Sequence, residues 1–514
     1  MTRYGFLLDQ DTCIGCHACT VACKAEHDVP LGVNRTWVKY VETGSFPDTQ
    51  RHFAVLRCNQ CDDAPCITIC PTNSLFRRAD GIVDFDRAAC IGCKSCMNAC
   101  PYDALYINPA TQVAEKCNFC AHRVEVGLEP SCVIVCPTHS IIAGDLDDPG
   151  SEIARRITAT DVAIRAPEQA TLPKVVYKGA HPTTLDPLAT AIPADGMIWA
   201  DTRAGHPTLP VAVPAADAPG RTVYTTEHPA PWKGLVSAYL VTKAVAAGAL
   251  LIGALLVILG HGADEVAAGV LPGVLALAGA AATGILLVAD LRQPRRFLLI
   301  FTRPNWRSWL VRGAWILLGH GALATAWFAA GLFGSSLALG VLILPAAAAA
   351  VAAAGYTAFL FGQCEGRDAW QSRLLLPLLV AQAVVAGAGS WLVAGAFADL
   401  PGARAVRLAL LSGVVAVAAL TAAELRARHA GATRGVRAAH VHLAHAALTR
   451  GRYAFRFWVG GIATGLGVPV VLLLVAETAG AARPLGALSG ATALAGLAAY
   501  EDAFVRAGQS VPLS

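Results

Sequence analysis

Sixteen of the seventeen cysteines fall into four groups of four, and their spacing carries the strongest chemical signal in the chain. The groups are Cys13, Cys16, Cys19 and Cys23; Cys58, Cys61, Cys66 and Cys70; Cys90, Cys93, Cys96 and Cys100; and Cys117, Cys120, Cys132 and Cys136. The first and third repeat C-x2-C-x2-C-x3-C, the third with a proline after its last cysteine. Thiolates at that interval wrap a loop around three corners of an iron–sulfide cubane, and the fourth points to a neighbouring cubane. Carried onto a nested arrangement, this rule predicts four [4Fe–4S] clusters. Cys13, Cys16 and Cys19 would join Cys136, and Cys117, Cys120 and Cys132 would join Cys23. The inner pair would be Cys58, Cys61 and Cys66 with Cys100, and Cys90, Cys93 and Cys96 with Cys70. Zinc also takes C-x2-C pairs, but a tetrahedral ion has no use for a third cysteine in the same run. The leading segment MTRYGFLLDQDT is too short and polar for a secretory signal, so disulfides are not expected. Cys364 stands alone in FGQCEGRD and reads as a small buried apolar side chain.

A second set of groups lies where polar atoms are expensive. Lys243 sits in AYLVTKAVAAG, which runs on into ALLIGALLVILG; a charge near a bilayer's centre costs roughly 2.5–3.5 kcal/mol even on lenient insertion scales. Apolar stretches of spanning length occur at about 234–260, 266–289, 313–333, 335–362, 375–396, 403–422, 456–479 and 483–500. Lys243 lies roughly 14 Å along the first of them. Asp290 closes the second, and Tyr356 precedes the end of the fourth, so three helices bring polar groups to one depth beneath the cysteine-rich part. Each has a plain alternative: Lys243 snorkels along its own stem, Asp290 pairs with Arg292, Arg295 or Arg296, and Tyr356 is an interfacial aromatic. Trp306, Trp309, Trp370 and Trp458 read as an aromatic belt. His320 is the one clearly intramembrane histidine, and His440, His442 and His445 fall in a loop, so no haem is expected and electrons need a diffusible membrane acceptor, for which a quinone fits.

The elements that position these groups divide the chain into two unlike modules. Of 514 residues, 55% are hydrophobic and 15% charged, with a mean hydropathy of +0.50 and the oil concentrated after about residue 230. The net charge of +4 gives no case for nucleic acid. The fold class is therefore an α+β double ferredoxin-like domain followed by an all-α bundle of eight transmembrane helices. Residues 1–150 form the four-cluster domain, 151–230 a Pro-rich extended linker and 231–514 the membrane domain. FLLDQDTCIGC and VDFDRAACIGC betray an internal repeat, and RTWVKYVETG with QRHFAVLR reads as a β-hairpin. Arginines gather in the loops on the cluster side, which the positive-inside rule makes cytoplasmic, unless they serve docking and headgroups instead.

These residues resemble two subunits of the complex iron–sulfur molybdoenzymes fused in one chain. The first part resembles the four-cluster subunit of polysulfide, thiosulfate and dimethyl sulfoxide reductases, with all sixteen cysteines in order. The rest is similar to the NrfD-type membrane anchor in ADLRQPRRF, SWLVRGAW, YTAFLFGQCEGRDAW, GRYAFRFWVGG and YEDAFVRAGQSVPLS. The resemblance implies a quinone contact at Tyr356, with Arg367 and Trp370 completing its motif, and a quinone or proton role for Asp290. Where the family type has a histidine in the first span, this chain offers Tyr239 and Lys243. It further implies a separate molybdopterin-containing catalytic subunit and residence in the inner membrane. The function expected is electron transfer between that partner and the quinone pool; the alternative is a redox-driven proton or ion translocator.

Overall fold

The computed structural model describes residues 2–191, 198–199, 219–261, 266–427, 436–478 and 481–514. The cysteine-rich module is built on two larger sheets, with two-stranded pairs Leu75–Arg77 with Val83–Phe85 and Tyr106–Ile107 with Ala114–Glu115 between the cysteine groups. In the first, strand Tyr4–Asp9 pairs antiparallel with Ile141–Asp145 and parallel with Val175–Lys178, whose outer neighbour is Val162–Ala163. In the second, Thr36–Thr43 and Gln50–Arg57 form the expected hairpin, with Thr36 opposite Arg57, and Gly220–Thr225 extends it. Phe6, Leu8, Val38, Val55 and Tyr177 turn inward from these strands and pack around the cysteines.

The stretch 151–230 departs from the extended linker expected of its composition. Its described parts supply helix Glu152–Ala159 and strands to both sheets, so it closes the cysteine-rich module. Proline and alanine content concealed short strands that only non-local pairing stabilises. Residues 192–197 and 200–218 of that stretch lie outside the described residues.

The internal repeat is visible in the backbone. Gly15 and Gly92 have φ of +70° and +69°, and the residues before the two following helices, His17 and Lys94, have +62° and +65°. A CIGC run must turn through left-handed geometry to bring its thiols to one side, which glycine permits without a Cβ clash.

Among the described residues, seven helices are long and apolar enough to cross a membrane: Gly234–Ile258, Gly269–Asp290, Trp309–Leu332, Ser336–Gly362, Leu375–Ala394, Ala403–Arg426 and Arg456–Thr478. The last begins with a π-helical run, Arg456–Gly467. The segment expected as an eighth span lies within helix Ala482–Gly508, which carries Arg483, Glu501, Asp502 and Arg506 and packs against the first, fifth and seventh long helices. First and fifth cross at Gly248 and Gly387, where a Cβ on either would collide with the other's backbone, the small-residue contact that lets membrane helices approach closely. The segment of His440, His442 and His445 is not a loop but helix Ala438–Thr449, with His440 buried and paired to Asp368 at 2.8 Å.

Candidate redox and cavity site

Of the sixteen grouped cysteines, all but Cys13, Cys16 and Cys93 are buried. Short helices present them: Ala18–His27, Pro65–Ile69, Ser95–Ala99 and Ser131–Ile134 each start beside or within a group. Thiols from distant groups lie within electrostatic reach: Cys13 faces Cys136, Cys23 faces Cys117 and Cys132, Cys100 faces Cys58, and Cys70 faces Cys90 and Cys93. Further contacts chain the groups together, Cys66 to Cys96, Cys58 to Cys117 and Cys132 to Cys19.

The donor set suits polynuclear iron better than one ion. Among the described residues, no three His, Cys, Asp or Glu side chains converge as a single metal ion requires. Burial, then the neighbouring Cys58, pushes the Cys61 thiol up to about 12, so ionising such a group needs cationic metal among the sulfurs. Backbone N–H groups already point at sulfur, from Gly15 to Cys13, from Ala114 to Cys90 at 3.4 Å, and from Thr72, Ser74 and Leu75 to Cys70. These bonds stabilise thiolate charge and tune an iron–sulfur centre.

Arg57 was not legible as a functional residue. It is fully buried, its Nη1 donates to Cys132 Sγ at 3.2 Å, its guanidinium lies 4.4 Å from the Phe6 ring centroid, and Nε and Nη2 have no partner. Its counter-charges are Cys132, Cys117 and Cys19 rather than a carboxylate. Arg57→Gln is therefore expected to lower the reduction potential of the centre bound by Cys132, by on the order of 100 mV for one unit charge at contact distance. Redox titration followed by paramagnetic resonance measures this; an unmoved potential refutes the tuning role.

Directly beneath Cys93 and Ser95 lies a cavity of about 600 Å³, lined by Trp232, Tyr239, Asp290 and Tyr356 and otherwise largely by aliphatic and aromatic side chains of the second and third long helices. Ser95 is fully buried, with its hydroxyl beside the Cys93 sulfur. Trp232 Nε1 donates to the Cys93 carbonyl at 3.1 Å, fixing the cavity roof to the cysteine loop. Tyr239, Asp290 and Tyr356 are thus brought together, whereas Lys243 and Arg367 are not on the lining. Lys243 stands behind it: its Nζ donates to the Ala354 carbonyl at 2.9 Å and to the Thr357 hydroxyl, and lies 4.9 Å from the Tyr356 ring centroid. It does not snorkel, being 1% exposed. Asp290 pairs with Lys94 of the cysteine loop at 2.8 Å, a partner that sequence proximity to the loop arginines concealed.

Arg367 clamps the modules, donating to Asn98 Oδ1 at 3.2 Å and to the carbonyls of Gln509 and Val511 at 3.3 and 3.1 Å. Trp370, expected in the aromatic belt, is 1% exposed and stacks on Trp232 with ring centroids 5.6 Å apart. Cys364 is fully buried, its thiol donating to the Leu360 carbonyl at 3.5 Å.

The fold and site define an iron–sulfur electron-transfer module fused to a helical membrane anchor. Residues 4–25 match the 4Fe-4S binding domain, 49–146 the 4Fe-4S dicluster domain, and 222–512 the family described as polysulphide reductase, NrfD. This protein belongs to the NrfD family and carries its iron–sulfur domains in the same polypeptide. It is similar to a tetrathionate reductase subunit of Salmonella typhimurium, 43% identical over 190 residues, covering 36% of this chain and 76% of that protein. The thiosulfate reductase electron transfer subunit PhsB of Salmonella typhi is 45% identical over 163 residues, 31% of this chain and 84% of its own. Protein NrfC of Escherichia coli K12 is 45% identical over 156 residues, 30% and 70% respectively.

Proposed function

We propose that the chain carries electrons between a molybdopterin-containing catalytic subunit and a quinone in the bilayer, through four [4Fe–4S] clusters with the ligand sets the spacing predicts. The observation that carries this reading is the cavity of about 600 Å³ set directly against Cys93. Its size and apolar walls suit a quinone ring with part of its tail, and its few polar groups gather at the cysteine end, as ligand sites usually arrange them. The Tyr239 and Tyr356 phenols, with the Ser95 hydroxyl beside Cys93, are donors for carbonyl oxygens, on which negative charge develops during reduction. Bound clusters would supply one-electron steps; the chain's own task is to hold the ring near Cys93 and to deliver or remove protons at its oxygens.

At the opposite end, Cys16 is exposed among Ile14, Val21 and Leu31, which are 57%, 64% and 78% exposed. Apolar side chains around an exposed cluster ligand suit the docking of a catalytic partner. Eight crossings, with Ala482–Gly508 as the last, belong to this reading, which is supported by the Trp232 N–H donating to Gln509 Oε1 at 2.9 Å, a contact that suits a bundle starting and finishing on one side. That side is assigned to the cytoplasm of an inner-membrane protein by its loop arginines. Arg292, Arg296, Arg367 and Arg437 make docking contacts, but Arg295, Arg303, Arg307, Arg450 and Arg452 remain against Arg404, Arg407 and Arg483 opposite.

The test uses the full chain with reconstituted iron–sulfur centres, reduced with dithionite and mixed with a short-tailed quinone. The wild type is expected to reoxidise on mixing, and Tyr356→Phe, which removes one charge-stabilising donor, to do so more slowly by about 10²-fold. Reduced centres that ignore the quinone would sink the proposal.

A further inference from the structure

The polar network behind the cavity continues across the bundle. The Thr357 hydroxyl, which accepts from Lys243, lies beside the phenols of Tyr239 and Tyr356, so both cavity tyrosines are joined to the ammonium. Lys243 in turn faces the Glu501 carboxylate from helix Ala482–Gly508. Glu501 and Gln382 are each 2% exposed, and the Gln382 amide lies beside that carboxylate, yet its Nε2 makes no close hydrogen bond. Gln382 and Tyr500 share the wall of a cavity of about 20 Å³. On the far side of Tyr500 a second cavity of about 20 Å³ is lined by Tyr500, Thr421, Glu424 and His445. Thr421, 4% exposed, lies beside the Tyr500 phenol with its own hydroxyl unpartnered.

Two independent features thus coincide. Each small cavity has room for about one water molecule, and each is lined by a buried polar atom without a partner, a combination that marks an ordered-water position. Such waters would join Tyr500 to Gln382, whose amide lies beside Glu501, and Tyr500 to Glu424. Glu424 lies in the last turn of Ala403–Arg426, half-buried, and accepts from the Ser372 hydroxyl in the loop that follows Arg367 and Trp370. The string therefore surfaces on the iron–sulfur side.

We propose that Thr357, Lys243, Glu501, Tyr500 and Glu424 form a proton route joining the cavity to the aqueous phase on the iron–sulfur side, with Gln382 and Thr421 orienting its waters. This rests on the quinone reading of the cavity and adds the path and the side. The balance is simple: a quinone taking two electrons from the clusters takes two protons along the route, and a quinol giving up two electrons returns two protons the same way. Lys243 and Glu501, facing each other, can pass a proton between them without leaving a lone charge in the apolar interior.

The experiment uses the full chain in vesicles, with its centres reduced by dithionite and then mixed with a short-tailed quinone. Glu501→Gln and Tyr500→Phe are each expected to slow reoxidation by about tenfold or more and to raise the solvent deuterium isotope effect, because proton delivery becomes limiting. Quinone affinity, read by quenching of tryptophan fluorescence, and the paramagnetic spectra should stay as in the wild type, and Glu501→Asp should recover much of the rate. A pH dye on the iron–sulfur face should report proton uptake in step with reoxidation. Unchanged rates and isotope effects in both variants, or uptake from the opposite face, overturn the route while leaving the quinone site standing. Wild-type centres that quinone does not reoxidise overturn both readings.

Discussion

On the proposed ligand sets, Cys96→Ala is expected to abolish reoxidation by quinone while three of the four proposed centres survive. Cys96 is buried on the helix that follows the CIGC turn, within reach of Cys90, Cys93 and Cys70 and also of Cys66 in the next group. It is the link between the thiols at the cavity roof and the rest of the series of sulfurs. In the proposed arrangement, removing it deletes the centre that adjoins the cavity, so electrons stored further out have no short path to the ring. Cys16→Ala gives the contrast. Cys16 is exposed at the other end of the series of groups, so its loss should leave reoxidation from internally reduced centres intact and block only donation from a catalytic partner. Iron content, paramagnetic spectra and stopped-flow reoxidation separate the two outcomes; equal damage from both substitutions would contradict the linear order of the groups.

Why the cysteines were legible and the groups around them were not follows from the range of the interactions. A CIGC run with its positive-φ glycine and a following short helix is a local structure, specified by neighbours in sequence, and Gly15 and Gly92 repeat it almost angle for angle. The apolar spans were legible for a similar reason, since a bilayer demands some 20 consecutive apolar residues whatever packs against them. Lys94 on Asp290, Arg57 on Cys132 and Glu501 on Lys243 are instead pairings across 196, 75 and 258 positions, the last from the residue numbers alone. Nothing in one sequence registers such distances. Glu501 did leave a trace, as a carboxylate set just behind the apolar run of the last helix, at a helical depth comparable to that of Lys243 from its own end. The strands within 151–191 left none, because a short strand such as Val175–Lys178 is stabilised by the pairing Phe6 with Val175 and not by its own composition.

Gly313→Ala should damage the cavity chemistry although it alters no polar group. Gly313 lies on the third long helix, buried against the fourth, and a Cβ built there would collide with the Cε2–Cδ2 edge of the Tyr356 ring. Lys243 stands 4.9 Å from the ring centroid on one side and the cavity lies open on another, so relief comes from moving the ring within the cavity. Overpacking of this kind costs about 1–3 kcal/mol, so if the strain is relieved by swinging the phenol away from its cavity position, quinone affinity should fall by about ten- to a hundredfold. Gly321→Ala is the matched control: it lines the same cavity on the same helix, and its Cβ would meet nothing within 4 Å. It should leave affinity near that of the wild type. Tyr356→Phe keeps the ring in place and removes only the hydroxyl, so the three variants together divide the tyrosine's contribution into shape and hydrogen bonding. If Gly313→Ala binds quinone as tightly as Gly321→Ala, the position of the Tyr356 ring is irrelevant to the site and the donors must be sought at Ser95 and Tyr239.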